Sequence, residues 1–80
     1  MDEEEFKKYL KKEKIESKRI KKTIEYIRNY EDFLSKNGLT LEKNQPDTII
    51  DYSEYILSKG EDSVLNFLRA IIHYGNFSKR

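Results

Sequence analysis

Between Lys7 and Lys22, nine of sixteen positions are Lys or Arg, opposed only by Glu13 and Glu16. That is a local charge of +7 in a chain whose net charge is +1. The chemistry open to such a block is electrostatic. Ammonium and guanidinium groups crowded into a short stretch attract polyanions, above all the phosphate backbone of nucleic acid, and displace its condensed counterions. Lys11, Lys12, Lys18, Arg19, Lys21 and Lys22 are the candidate phosphate contacts. Ser17, with the free N–H groups of a helix start beside it, could add an anion site. The plainer alternative is that these lysines solvate two amphipathic helices, partly neutralised by Glu13, Glu16 and Glu25. A cluster so rich in Lys and poor in Arg, Asn and Gln carries no pattern for reading base edges.

Other chemistries have less to work with. His73 shares a polar strip with Asn66 and Arg69 and has no second His to complete a metal pair. The chain has no Cys, hence no disulfide and no thiolate. The carboxylate pairs Asp51/Glu54 and Glu61/Asp62 lack calcium-loop spacing and read as caps and solvated faces. No Gly-rich phosphate loop, nucleophile elbow or metalloprotease signature occurs. The reading is a non-enzymatic one: no catalytic residue, no metal site, no cofactor and no small-molecule substrate. Of the six tyrosines, most flank apolar stripes at the edge of a core, and Tyr26, beside Lys22, is the one placed to contact a base.

The elements that must position these residues follow from periodicity and punctuation. Asp2, with Glu5 three residues on, predicts a capped helix over residues 3–14 carrying Phe6, Tyr9 and Leu10. Ser17 predicts the cap of a second helix, 17–37, whose stripe is Ile20, Thr23, Ile24, Ile27, Tyr30 and Leu34 and whose end is Asn37-Gly38. Residues 39–45 then connect, with Leu39 and Leu41 turned inward. Pro46 opens a third helix, 46–59, with Ile49, Ile50, Ser53, Ile56 and Leu57 as its inner face. Asp62 or Ser63 opens a fourth, 62–75, apolar round most of its girth and therefore expected at the centre; Gly75-Asn76 should end it and Phe77 fold back. The core should rest on Ile24, Ile27, Leu34, Ile56, Leu68 and Ile71. The fold class expected is all-α, one compact four-helix domain spanning residues 1–80.

Charge sign changes along the chain. Residues 2–5 are acidic, 7–22 basic, and 38–68 carry six acids against Lys43 and Lys59, so the folded domain should have a basic end and an acidic one. No apolar run reaches the ~20 residues of a membrane span, and the acidic start is unlike a secretory leader. A soluble, cytoplasmic protein is expected.

The landmarks Ile20, Thr23-Ile24, Ile27, Tyr30, Phe33-Leu34, Gly38, Gln45-Pro46-Asp47, Ile49, Tyr52, Tyr55-Ile56-Leu57, Ser63-Val64, Leu68, Ala70-Ile71 and Tyr74 resemble one known module. It is the N-terminal core-binding (SAM-like) domain of tyrosine recombinases and phage integrases, matched here over residues 3 to about 77. The resemblance implies one arm of a clamp on duplex DNA, serving DNA integration and recombination, with catalysis in a separate C-terminal domain of a longer protein. Carried over by position, Glu16, Arg19 and Thr23 with the intervening lysines, and Ser63, Asn66 and Arg69, would face DNA. The chain departs from the family pattern at Glu16, Arg19, Thr23, Asn66, Phe67 and Ile72, and Glu61 and Asp62 add negative charge to that edge. The alternative is a helical protein-interaction domain that reuses the fold in a non-recombinase protein.

Overall fold

The computed structural model describes residues 1–41 and 46–79, and within them the chain forms four α-helices. They are α1 (Glu3–Lys12), α2 (Ser17–Lys36), α3 (Pro46–Leu57) and α4 (Glu61–Ser78). The all-α four-helix expectation holds. Residues 42–45 of the expected connection, Gln45 among them, lie outside the described residues, whereas Leu41 is buried and Leu39 half-buried.

Local chemistry sets the ends. Asp2 caps α1 by accepting a hydrogen bond from the Glu5 N–H at 3.2 Å. The helix closes when Ile15 N–H reaches the Leu10 carbonyl (3.1 Å) and Lys14 N–H the Lys11 carbonyl (3.0 Å). Gly38 and Leu39 repeat this closure at the end of α2, onto Ser35 (3.1 Å) and Leu34 (2.8 Å). Both closures need a left-handed residue, supplied by Gly38 at φ 71° and by Lys14 at φ 62°. The second is invisible in the sequence, because no glycine marks it.

Helices α1, α2 and α3 end one or two residues before the expected 14, 37 and 59, and three further features of the boundaries differ from expectation. Ser17 is not the cap of α2; Glu16 holds that position, with no side-chain bond, and its carbonyl accepts from Ile20 N–H at 2.9 Å. The preceding closure turns the chain at Ile15, so the extended residue before the helix is Glu16 and Ser17 becomes the first helical one. Gly60, at φ 113°, is the residue before α4, which starts at Glu61 rather than Asp62 or Ser63. Gly75-Asn76 does not end α4. The helix runs on to Ser78 because Phe77 packs on Phe6 (ring centroids 5.1 Å) and Tyr9 (5.5 Å) of α1. That burial outweighs the ~1 kcal/mol a helical glycine costs.

The helices form a slab 31 × 26 × 17 Å, two helix layers at its thinnest. Both α2 and α4 pack on the other three helices. The core, however, is built mainly from α2, through Ile20, Ile24, Ile27, Tyr30 and Leu34. The rings of Tyr30, Tyr52 and Phe67 meet at 4.8–5.1 Å at its centre. Ile24, Ile27, Leu34 and Ile56 are buried as expected and Ile71 is half-buried. Leu68 is not core: it stands 36% exposed, and Ile50 and Leu57 of α3 also face outward. The neighbours of α4 cover one arc of it, where Phe67 and Ala70 are buried and Tyr74 is half-buried.

Candidate nucleic-acid interface

The corner formed where α1 turns into α2 gathers some of the predicted cations and separates others. In α2, Lys21 lies on the flank toward α1, where with Lys7, Lys11 and Ser17 it walls an open groove of about 820 Å³. Arg19 lies on the opposite flank, toward α4, and shares a dimple of about 40 Å³ with Thr23, Tyr26, Asn66, Arg69 and His73. Lys18 and Lys22, one turn apart, occupy the exposed crest between the two. The order across α2 is therefore Lys21, Lys18, Lys22, Arg19, a fan around its first two turns. It is extended by Lys7 and Lys11 on one side and Arg69 on the other. Lys18 and Lys22 alone stand about 6 Å apart along the axis of α2, and the flanking cations widen the ridge to either side. Lys12 stands apart, on the flank of α1 away from the groove, because one residue further than Lys11 is a rotation of about 100°.

Antiparallel packing brings the second half of the set into place. Phe67 meets Tyr30 at 5.0 Å, while Tyr74 and Phe77 reach Phe6 of α1, so α4 runs back toward the start of α2. Asn66, Arg69 and His73, at i, i+3 and i+7, consequently face Arg19, Thr23 and Tyr26, at i, i+4 and i+7. His73, read from the sequence as a surface histidine, belongs with this cluster. Its spacing from Asn66 and Arg69 was the available signal; the matching stripe on α2 was the part missed. Ser63, Glu61 and Asp62 sit at the far end of α4, about 16 Å along the axis from His73. Glu61, Asp62 and Ser63 thus stand away from the His73 end of the strip, but Asp62 lies one turn before Asn66, so its negative charge borders the α4 end of the ridge.

Glu3, Glu4 and Glu25 line the same groove as Lys7, Lys11 and Lys21, but the direct ion pairs fall elsewhere. The ion pairs among the described residues join the Met1 amine to Glu31 (2.7 Å), Lys8 to Glu5 (3.7 Å) and Arg28 to Glu3. None uses a residue of the fan. Glu3, by hydrogen bond first and charge second, pushes the Arg28 guanidinium further up. Arg28 therefore ties α1 to α2 rather than serving the ridge.

The two hollows differ in what they could hold. The dimple has room for little more than a water molecule. The α1/α2 groove is large and open, and nine of its eleven lining residues are polar or charged, with cations and carboxylates of both signs among them. Among the described residues, no three His, Cys, Asp or Glu side chains converge as a metal site would require. No helix among them is long and apolar enough to cross a membrane. Comparison with protein-family models, with curated proteins and with solved structures gives no match.

Proposed function

We propose that this chain is a non-catalytic DNA-binding module that grips the duplex backbone along the α1/α2 corner. One observation carries the reading: Lys21, Lys18, Lys22 and Arg19 fan around the start of α2, flanked by Lys11 and Arg69, and none of them joins an ion pair among the described residues. A duplex offers one phosphate charge per ~1.7 Å of axis, so a ridge of this length can meet several at once. Lys12 is set aside by geometry, and Asn66 and Arg69 act at the α4 end of the ridge.

The resemblance to recombinase core-binding domains supports the same reading, and in that frame strand transfer belongs to a separate domain. It carries with it a cytoplasmic protein acting in DNA integration or recombination. The test is a gel-shift or anisotropy titration on a duplex of arbitrary sequence over a range of salt. Engagement of four to six phosphates gives a log–log slope of about −4 to −5. Absence of binding, or affinity indifferent to salt, would overturn the proposal.

A further inference from the structure

Every large apolar side chain that stands exposed among the described residues belongs to α3 or α4: Ile50, Tyr55, Leu57, Leu65, Leu68 and Ile72, at 36–62% exposure. Helices α1 and α2 show none. The distribution is directional as well. Leu65, Leu68 and Ile72, at i, i+3 and i+7, share one edge of α4, while Ile50 and Leu57, at i and i+7, share one edge of α3. On the opposite edges, Tyr55 of α3 stacks on Phe33 of α2 (6.0 Å), and Asn66, Arg69 and His73 of α4 face α2 across the dimple. Both apolar edges therefore look away from α2. Because 58–60 is a tight connection and α3 packs on α4, the two edges run along the outer seam of one helical hairpin.

The charges beside this strip are mostly acidic, with Arg69, one turn from Leu65 and from Ile72, as the cation at its α4 end. Asp47 and Glu54 lie one turn from Ile50, Glu54 also one turn from Leu57, and Glu61 one turn before Leu65. From Pro46 to Ile72, the full length of the strip, the sequence holds five acids against Lys59 and Arg69. An apolar stripe with helical spacing and an acidic border fits an occupant with the complementary pattern. A second copy of this chain does not: two-fold pairing of the strip would set each acidic border against itself. DNA is repelled by the same acids.

We infer that the outer seam of the α3/α4 hairpin is a docking surface for a basic amphipathic helix of a partner protein. Its apolar face lies on Ile50, Leu57, Leu65, Leu68 and Ile72, and its Lys or Arg flanks meet Asp47, Glu54 and Glu61. The surface is distinct from the cationic ridge, so partner and duplex can be held together.

The probe is a fluorescent synthetic helix of about five turns, with Leu at i, i+3, i+4 and i+7 and Lys elsewhere, titrated against the 80-residue chain by anisotropy. Saturable binding is expected. It should weaken at least tenfold in Leu65→Asp/Ile72→Asp and in Glu54→Lys/Glu61→Gln, the second pair being exposed and in none of the described ion pairs. Lys18→Glu/Lys22→Glu should leave it unchanged, which separates this surface from the duplex-binding reading. No saturable binding, equal binding of a Glu-for-Lys version of the peptide, or indifference to both hairpin variants would overturn the inference. So would sedimentation as a dimer that Leu65→Asp/Ile72→Asp dissolves, since a second copy would then own the strip.

Discussion

The hydroxyls of Tyr30 and Thr48 lie 3.0 Å apart, joining the middle of α2 to the first turn of α3. Tyr30 is fully buried, the largest side chain to be so, and this bond gives its polar end a partner inside the core. Thr48 is only half-buried. Removing the phenolic oxygen in Tyr30→Phe therefore leaves a threonine that water can still reach, and stability should fall by about 1 kcal/mol. Tyr30→Ala removes the ring on which Tyr52 and Phe67 pack and should cost about 3–5 kcal/mol. Urea unfolding of the two variants measures both, and equal losses would contradict the packing described.

The same ring makes the domain sensitive to alkali. Burial pushes the Tyr30 hydroxyl up, opposed by its bond to Thr48, and burial with the neighbouring Tyr55 pushes Tyr52 up. In the unfolded chain both phenols ionise near the ordinary value of about 10. Below that pH both states are protonated and the full contribution is present. Above it the unfolded chain loses its protons first, so stability drains away as pH climbs toward the folded values. Unfolding midpoints should be flat from neutral pH to about 9 and then fall, less steeply in Tyr30→Phe/Tyr52→Phe. A double variant with the same alkaline slope as the parent would show that these phenols are not responsible.

Backbone conformation yields opposite effects at two turn positions. Lys14 sits at φ 62°, where a Cβ costs roughly 1–2 kcal/mol, offset in part by the extra freedom glycine has when unfolded. Lys14→Gly should raise stability by about 0.5–1 kcal/mol. Gly60 at φ 113° and ψ 154° occupies a region closed to residues with a side chain, although nothing lies within 4 Å of an added Cβ. Gly60→Ala should lose about 1–3 kcal/mol through backbone strain alone. Thermal melts of the two variants moving in the same direction would refute this account.

How far the sequence reaches is clearest on α4. Its existence and type follow from apolar spacing, and Pro46, Gly38 and Asp2 mark three helix ends by chemistry that works locally. Its inner face does not follow, because Val64 through Tyr74 offers apolar residues around most of the helix and only the neighbours decide which arc is covered. Leu68 was one candidate; Phe67 is what the packing chose. The site shows the same limit. Clustering of Lys18, Arg19, Lys21 and Lys22 is readable from helical spacing within α2, whereas the facing of Arg19 to Arg69 depends on how α4 crosses it. Phe67→Ala should accordingly cost about 3–5 kcal/mol and Leu68→Ala about 1 kcal/mol or less. Chemical denaturation of the pair decides between the two faces.

The ridge can be tested against the rest of its own helix. Lys36 lies at the opposite end of α2, 18 residues beyond Lys18 and so about 27 Å away along the axis. Both are exposed lysines on one helix, so a general effect of net charge would treat them alike. A local grip would not. Lys18→Glu/Lys22→Glu should weaken duplex binding at least tenfold and flatten the salt dependence by about two counterions, roughly 1.8 in the log–log slope. Lys36→Glu should alter affinity by about twofold or less, since its separation exceeds the Debye length of about 8 Å at physiological salt. Helical content and melting temperature should stay near those of the parent in every case, because no described ion pair of the fold is lost. Equal losses from the two ends of α2 would mean that the domain is held to DNA by its overall field rather than by the corner.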